Sequence, residues 1–282
     1  MAIIDAHQHF WWTARRPHHW PEAVGDRLTR DFTPDDLRPE LQAAGIDGTV
    51  LVQSLNNFDE TVEYLDLARD SDMIRGVVGW VPLSDPAACT RALDELKKRE
   101  RLVGIRHVIA HEPDPNWLLQ DGVIESLGQL SAAGLAFDAI PITGEQFEAV
   151  LEVAQKLPGL KIVLNHLGRP PVPEQGWEPW ATQIARAAEH RNLSIKFSVG
   201  LDMVMRWQWS TDAMRQYTDH VLDLFGANRI MAASNWPVVL LGGSFGEVWS
   251  GLTALLDGLK TAERQMVLGG TAERIYGLTP AK

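Results

Sequence analysis

The hydrophobic and polar positions of this chain alternate between two kinds of segment, short apolar runs and longer stretches with apolar residues at three- and four-residue spacing. The short runs are rich in valine, isoleucine and leucine, as expected for parallel strands that are covered on both faces. The strands predicted in this way are 3–7, 48–53, 74–81, 102–107, 135–138, 160–165, 193–197 and 229–234.

The stretches between the strands have the spacing of amphipathic helices. Thr33 followed by Pro34 predicts a helix start, with threonine at the N-cap and proline at the first helical position. Further helices are predicted at 59–70, 86–99, 122–133, 145–157, 179–190, 211–225 and 245–259.

Eight alternations of strand and helix are the pattern of an α/β protein of the (β/α)8 TIM-barrel class. We therefore predict one barrel domain over residues 1–282. The alternative is a doubly wound open sheet. That fold usually carries a glycine-rich phosphate loop after its first strand, and no G-x-G-x-x-G motif follows strand 3–7.

The net charge of −11 and the pI near 5.3 argue against nucleic acid or an anionic membrane surface as a partner. The sequence has no signal-peptide pattern and no apolar run of about 20 residues, so we expect a cytoplasmic protein without a membrane span. The single cysteine, Cys89, excludes a disulfide within the chain and a cysteine zinc cage. We expect a small-molecule partner, and a homo-oligomer stays open.

Polar side chains gather where the predicted strands end. In a barrel the carboxyl ends of all strands meet at one face, which is where active sites of this fold lie. Six of the eight predicted strands have such an ending, more than turn formation alone requires. The residues concerned are His7, His9, Gln53, Arg106, His107, Asp138, Asn165, His166, Asn235 and Trp236.

His7 and His9 are separated by one residue at the end of the first strand. Alternate side chains of a strand point to the same side, so both imidazoles face one way. Such a pair can bind a divalent metal or hold a polar substrate, and two ordinary polar residues at a strand end are the alternative. Arg169 follows the sixth strand, where its fork can grip a carboxylate or form a structural ion pair.

Five segments resemble the sugar-lactonase branch of the amidohydrolase superfamily. They are DAHQHFW at 5–11, VGWV at 78–81, GIRHVI at 104–109, LNHLGRP at 164–170 and ASNWPV at 233–238. The resemblance covers nearly the whole chain and does not single out a substrate, since the branch includes lactonases for fuconate, rhamnonate, galactarate and dicarboxylated pyrones. It implies hydrolysis of an aldono- or aldarolactone to the open-chain sugar acid.

The resemblance, together with the strand endings, assigns roles to ten residues. The expected catalytic residues are His7, His9, His107, His166 and Asn235. The expected substrate-binding residues are Gln53, Arg106, Asp138, Arg169 and Trp236. His7, His9 and His166 would be the ligands of a divalent metal, with zinc weakly bound or absent.

Asn235 departs from the pattern of the branch, where many members carry an aspartate that binds metal and activates water. An amide cannot act as a base and is a poor metal ligand. A histidine or Asp138 would then have to be the base. The alternatives are an isomerase that moves the ring ester between hydroxyls and an impaired barrel that only binds a sugar acid. A metal-dependent decarboxylase fits less well, because it would also need the aspartate.

Overall fold

The computed structural model describes residues 1–278, and eight strands in this part form one parallel sheet in the order β1 to β8. The strands are β1 (Ile4–Gln8), β2 (Gly48–Val52), β3 (Ile74–Gly79), β4 (Leu102–Arg106), β5 (Ala136–Ala139), β6 (Lys161–Leu164), β7 (Leu193–Phe197) and β8 (Ile230–Ala232). Each lies within two residues of its predicted bounds.

α-Helices follow the strands, and most of them cover the outside of the sheet. They are α1 (Pro34–Ala44), α2 (Phe58–Arg69), α3 (Pro86–Leu96), α4 (Asp121–Ala132), α5 (Gly144–Lys156), α6 (Trp180–Glu189), α7 (Leu201–Val204), α8 (Thr211–Phe225), α9 (Phe245–Ala254), α10 (Thr261–Gln265) and α11 (Thr271–Tyr276). The predicted helix 245–259 ends early, because turns through Asp257 and Gly258, both weak helix formers, follow α9.

The sheet closes where β1 meets the segment that follows β8. The His9 amide donates to the Trp236 carbonyl at 2.8 Å, and the Asn235 amide donates to the His7 carbonyl at 2.8 Å. Below these bonds the Asp5 carboxylate accepts hydrogen bonds from the Ser234 amide at 2.8 Å and from the Ser234 hydroxyl at 2.5 Å. The (β/α)8 barrel is therefore confirmed, and an open sheet does not describe the chain.

Two apolar clusters hold the barrel together. The larger joins the outer faces of the strands to the helices, and the smaller fills the barrel with small and β-branched side chains such as Ala6, Val50 and Val163. α11 belongs to the inner cluster and closes the barrel at the end opposite to the strand carboxyl termini. The sequence did not predict α7, α10 or α11, because each spans six residues or fewer and offers little periodicity.

The approach to α11 is tight. A Cβ at Gly269 would come within 1.9 Å of the Ala2 carbonyl oxygen, so only glycine lets the chain pass the first strand at this point.

Within residues 1–278, the helices are all too short or too polar to cross a membrane.

The pH dependence of stability should show the cost of the buried carboxyl group in the closing seam. Burial raises the pKa of Asp5 to about 6, while the hydrogen bonds from Ser234 oppose the shift. The folded state thus holds this proton more tightly than the unfolded chain, so its stabilising contribution is present at low pH and is lost as pH rises through 6. We expect the wild type to lose about 2 kcal/mol of unfolding free energy relative to Asp5→Asn between pH 4 and pH 7.

Urea unfolding of both proteins across this range checks the prediction, with Asp94→Asn on the surface as the matched control. A difference between wild type and Asp5→Asn that stays constant with pH would contradict it.

Candidate active site

A buried ion pair lies inside the barrel, beneath the carboxyl ends of the strands. Lys196, the last residue but one of β7, places its Nζ 2.6 Å from Asp138 Oδ2 and 3.2 Å from His7 Nδ1. Sequence reasoning missed Lys196. The signal was the polar alternation of Ser194, Lys196 and Ser198 through an apolar strand, which marks a polar face turned into the barrel.

Asp138, which was expected to bind substrate, has partners for both of its oxygens. Besides Lys196, Asn165 Nδ2 donates to Oδ2 at 3.3 Å, and the Tyr276 hydroxyl of α11 donates to Oδ1 at 2.7 Å. The carboxylate is fully buried among these donors. It is therefore held as the counter-ion of Lys196, and a histidine is better placed to act as a base.

His7 and His9 face each other above Lys196. Their Nε2 atoms are 3.0 Å apart, and His9 Nδ1 lies 2.7 Å from the Val52 carbonyl oxygen. The ring of His166 lies 4.8 Å from the ring of His7, centroid to centroid. Three of the predicted catalytic histidines thus form one cluster, although they are up to 159 positions apart in the sequence.

Arg106 enters this cluster from β4. Its Nη1 lies 3.4 Å from His7 Nε2, its Nη2 donates to the Gln53 carbonyl, and Gln53 Nε2 donates back to the Arg106 carbonyl at 3.0 Å. Burial lowers the pKa of Arg106 to about 10, so the guanidinium stays charged at neutral pH. Its Nε has no hydrogen-bond partner, and no carboxylate of residues 1–278 forms an ion pair with it. Arg106 is therefore a buried cation with spare donors.

His166 and Asn235 are oriented by the end of β7. His166 Nδ1 lies 2.8 Å from Ser198 Oγ, and Asn235 Nδ2 donates to the Val199 carbonyl at 2.8 Å. Both residues have left-handed backbones, with φ of 53° and 58°. Such conformations are costly for non-glycine residues and persist where the surroundings impose them, often at functional sites.

The three clustered histidines are neutral at physiological pH. Burial is the main cause that lowers the pKa of His7, His9 and His166 well below the usual value, and the nearby charges of Lys196 and Arg106 act in the same direction. A neutral imidazole has one donor and one acceptor nitrogen, so the cluster can both donate to and accept from a substrate.

His107 stands apart from this cluster and is fixed by loop residues. Its Nε2 lies 2.6 Å from Glu112 Oε1, Trp80 Nε1 donates to its Nδ1 at 3.0 Å, and its ring stacks on Trp117 at 4.2 Å. Burial lowers the pKa of His107, whereas the hydrogen bond with Glu112 raises it. Both of its ring nitrogens are therefore already engaged.

Two of the predicted substrate-binding residues have other partners. Arg169 forms an ion pair with Asp202 at 2.7 Å in the loop region above β6. The Trp236 indole is buried in the hydrophobic core, with its ring 5.8 Å from Phe10 and 5.4 Å from Phe32. Neither side chain has a described contact with the three clustered histidines.

The clustered side chains do not fit a resident zinc ion. In residues 1–278, no group of three or more His, Cys, Asp or Glu side chains is arranged to hold a metal. The Lys196 ammonium faces His7 Nδ1, and Arg106 lies beside His7 Nε2, so two cations surround the expected ligands. The nearest carboxylate, Asp138, is the counter-ion of Lys196. These charges oppose a divalent cation at the three histidines.

Comparison with known proteins identifies relatives over almost the whole chain. The amidohydrolase family model matches residues 4–278. The chain is 36% identical to L-fucono-1,5-lactonase from Burkholderia ambifaria, over 86% of this chain and 83% of the relative. It is 32% identical to L-fucono-1,5-lactonase from Burkholderia multivorans, over 98% of this chain and 96% of the relative.

A solved structure agrees with these sequence matches. The crystal structure of an amidohydrolase from Burkholderia multivorans with bound zinc superposes with a TM-score of 0.90 at 29% identity, covering 99% of this chain and 100% of the other. A match of this extent, in sequence and in fold, shows the family that the resemblance had indicated. The chain belongs to the amidohydrolase family.

Proposed function

We propose that this protein hydrolyses a sugar-acid lactone, either an aldono- or an aldarolactone, by attack of water on the ring ester. The observation that carries the proposal is the convergence, at the carboxyl end of the barrel, of neutral imidazoles and Arg106, which forms no ion pair within residues 1–278. The two relatives named L-fucono-1,5-lactonase support the substrate class.

The electrophilic side of the reaction falls to Arg106. Its Nη1 lies 3.4 Å from His7 Nε2, so a carbonyl oxygen bound beside His7 is within reach of the guanidinium. As water adds to the carbonyl carbon, negative charge develops on that oxygen. In a buried site, a fixed guanidinium stabilises this charge more strongly than bulk water would.

The base falls to His166, because the amide of Asn235 cannot take a proton. With His166 Nδ1 hydrogen-bonded to Ser198, Nε2 is the nitrogen left to accept the proton of the attacking water. Asn235 Oδ1 accepts no hydrogen bond from residues 1–278 and can orient that water. His166 then returns the proton to the ring oxygen as the carbon–oxygen bond breaks, which yields the open-chain acid.

A second candidate is a lactone isomerase, and Asn235 is the observation that favours it. Its Nδ2 donates to the Val199 carbonyl, a bond that an ionised aspartate could not form. An isomerase needs no activated water. A hydroxyl of the substrate attacks the carbonyl instead, and His166 moves the proton between the two oxygens.

Isotope incorporation separates the two activities. Incubating the protein with a panel of aldono- and aldarolactones in H₂¹⁸O should release an acid that carries one ¹⁸O in its carboxyl group. His166→Asn should lower kcat/KM by about 10²–10⁴-fold, the usual contribution of a general base. His111→Asn, which makes the same change at an exposed histidine, is the matched control and should leave the rate unchanged. An unlabelled isomeric lactone would favour the isomerase, and no turnover of any lactone would end the proposal.

Replacing Asn235 tests whether the site lacks a base. Asn235→Asp should raise kcat/KM for hydrolysis by at least about tenfold, since carboxylate general bases contribute about 10²–10⁴-fold, well above the loss of one neutral hydrogen bond to Val199. Asn235→Ala, which removes the amide without adding charge, should lower the rate. A decrease with aspartate would instead show a site built around the amide, as an isomerase would need.

Zinc content tests the fit of the histidine cluster to a metal. Two cations beside His7 oppose a third, so we expect well below one zinc per chain after exposure to zinc and dialysis against a chelator. Elemental analysis of the dialysed protein, together with its lactonase rate, provides the measurement. One zinc per chain that survives the chelator would contradict the expectation.

A further inference from the structure

We propose that Lys196 is a positioning residue that fixes the proton positions on His7 and His9, so that His7 donates to His9 and leaves the Arg106 Nη1 donor free for the substrate. Lys196 is fully buried in β7, and its Nζ lies 3.2 Å from His7 Nδ1. In the proposed mechanism Lys196 has no contact with the lactone. The kinetic part of this inference rests on the proposed function, and the structural part does not.

The two ends of a hydrogen-bonded chain determine the direction of every bond in it. At one end, the Lys196 ammonium, held by Asp138, can only donate. At the other end, the Val52 carbonyl can only accept, so His9 Nδ1 carries a proton and donates to it at 2.7 Å. Neutral His9 then has a lone pair at Nε2, which accepts a hydrogen bond from the N–H of His7 Nε2 at 3.0 Å. His7 Nδ1 is left as the acceptor that Lys196 requires.

The opposite arrangement of protons fails at both ends. A proton on His7 Nδ1 would face the Lys196 ammonium at 3.2 Å, and a lone pair on His9 Nδ1 would face the Val52 carbonyl at 2.7 Å. The assigned arrangement has one poor contact, between the N–H of His7 Nε2 and Arg106 Nη1, at the longer distance of 3.4 Å. Two mismatches at short range cost more than one at long range, because the repulsion between two donors or two lone pairs falls with distance.

The consequence for the substrate follows from that remaining contact. With its proton on Nε2 and donated to His9, His7 cannot accept from Arg106, so the Nη1 donor stays free to bind a carbonyl oxygen. If the proton moved to Nδ1, the Nε2 lone pair would accept the Arg106 Nη1 hydrogen bond at 3.4 Å and engage that donor. Lys196 therefore decides whether the Arg106 Nη1 donor is free for the developing oxyanion or is engaged by His7.

The pairing of Lys196 extends this dependence to the far end of the barrel. Asp138 holds the ammonium at 2.6 Å and is itself held by the Tyr276 hydroxyl at 2.7 Å. Tyr276 belongs to α11, which closes the opposite end of the barrel. The C-terminal helix thus reaches the histidines through Asp138 and Lys196, by direct contacts at every step.

Nitrogen NMR of histidine-labelled protein reads the proton positions directly and needs no substrate. In the wild type we expect His7 to be protonated at Nε2 and His9 at Nδ1, with assignments made from His7→Gln and His9→Gln. In the double variant Lys196→Met/Asp138→Asn we expect His7 to lose this preference. A wild-type His7 protonated at Nδ1, or a double variant with unchanged proton positions, would overturn the inference even if the protein hydrolyses lactones.

The double variant removes both charges together, since a single change would leave an unpaired buried charge and could prevent folding. Among folded proteins we expect kcat of the double variant to fall by about 10²–10³-fold with little change in KM, as for loss of one oxyanion donor. Met231→Leu, a volume-conserving change inside the barrel, should retain the wild-type kcat. A double variant with wild-type kcat would show that the ion pair is only structural.

Lys196→Gln tests the same point conservatively, because its amide can still donate to His7 Nδ1. It should keep the wild-type proton positions and recover more of kcat than the double variant does. A glutamine variant no better than the double variant in both measurements would count against the positioning role. Wild-type protein that turns over no lactone would refute the proposed function, while the NMR result would still decide the inference.

Discussion

The ion pair between Lys196 and Asp138 is the interaction on which the interior of this barrel depends. Two charges are taken wholly out of water, and such a pair adds little net stability, yet losing one partner typically costs about 3–5 kcal/mol. The pair is tolerated because its remaining hydrogen-bond donors and acceptors have partners in Asn165, Tyr276 and His7. Since a well-packed apolar pair could fill the same space, its value lies in what it holds in place above it.

The closing seam of the barrel and the candidate site are built from the same residues. The backbone of His7 and His9 bonds the segment after β8, and their side chains form the cluster. A shift of β1 against β8 would therefore move the imidazoles and Asn235 together. Barrel closure thus keeps the site rigid without help from the loops, which matters because a donor such as Arg106 stabilises an oxyanion only at fixed geometry.

The sequence predicts what depends on strand endings and fails where side-chain direction or distant packing decides. The clustering of His7, His9, His166 and Arg106 could be predicted because the carboxyl ends of parallel strands meet at one face. Lys196 was missed because its strand was interpreted as a short apolar run. Tyr276 could not be found, since nothing in a six-residue helix shows that it reaches Asp138 from the opposite end. Trp236 directly follows Asn235, yet its side chain turns into the core, which only the backbone path determines.

The charge balance of the cluster explains how weak bases could support the proposed reaction. Asp138 offsets Lys196, whereas Arg106 is not offset by any ion pair within residues 1–278, so the cluster favours the negative charge of a tetrahedral intermediate over a neutral lactone. Burial, Arg106 and Lys196 lower the pKa of His166 well below its usual value, which makes it a poor base but, once protonated, a strong acid. Proton uptake must then accompany formation of the oxyanion, and the acquired proton is readily delivered to the ring oxygen. Breaking the ring ester, the step that needs an acid, is what such a histidine does best.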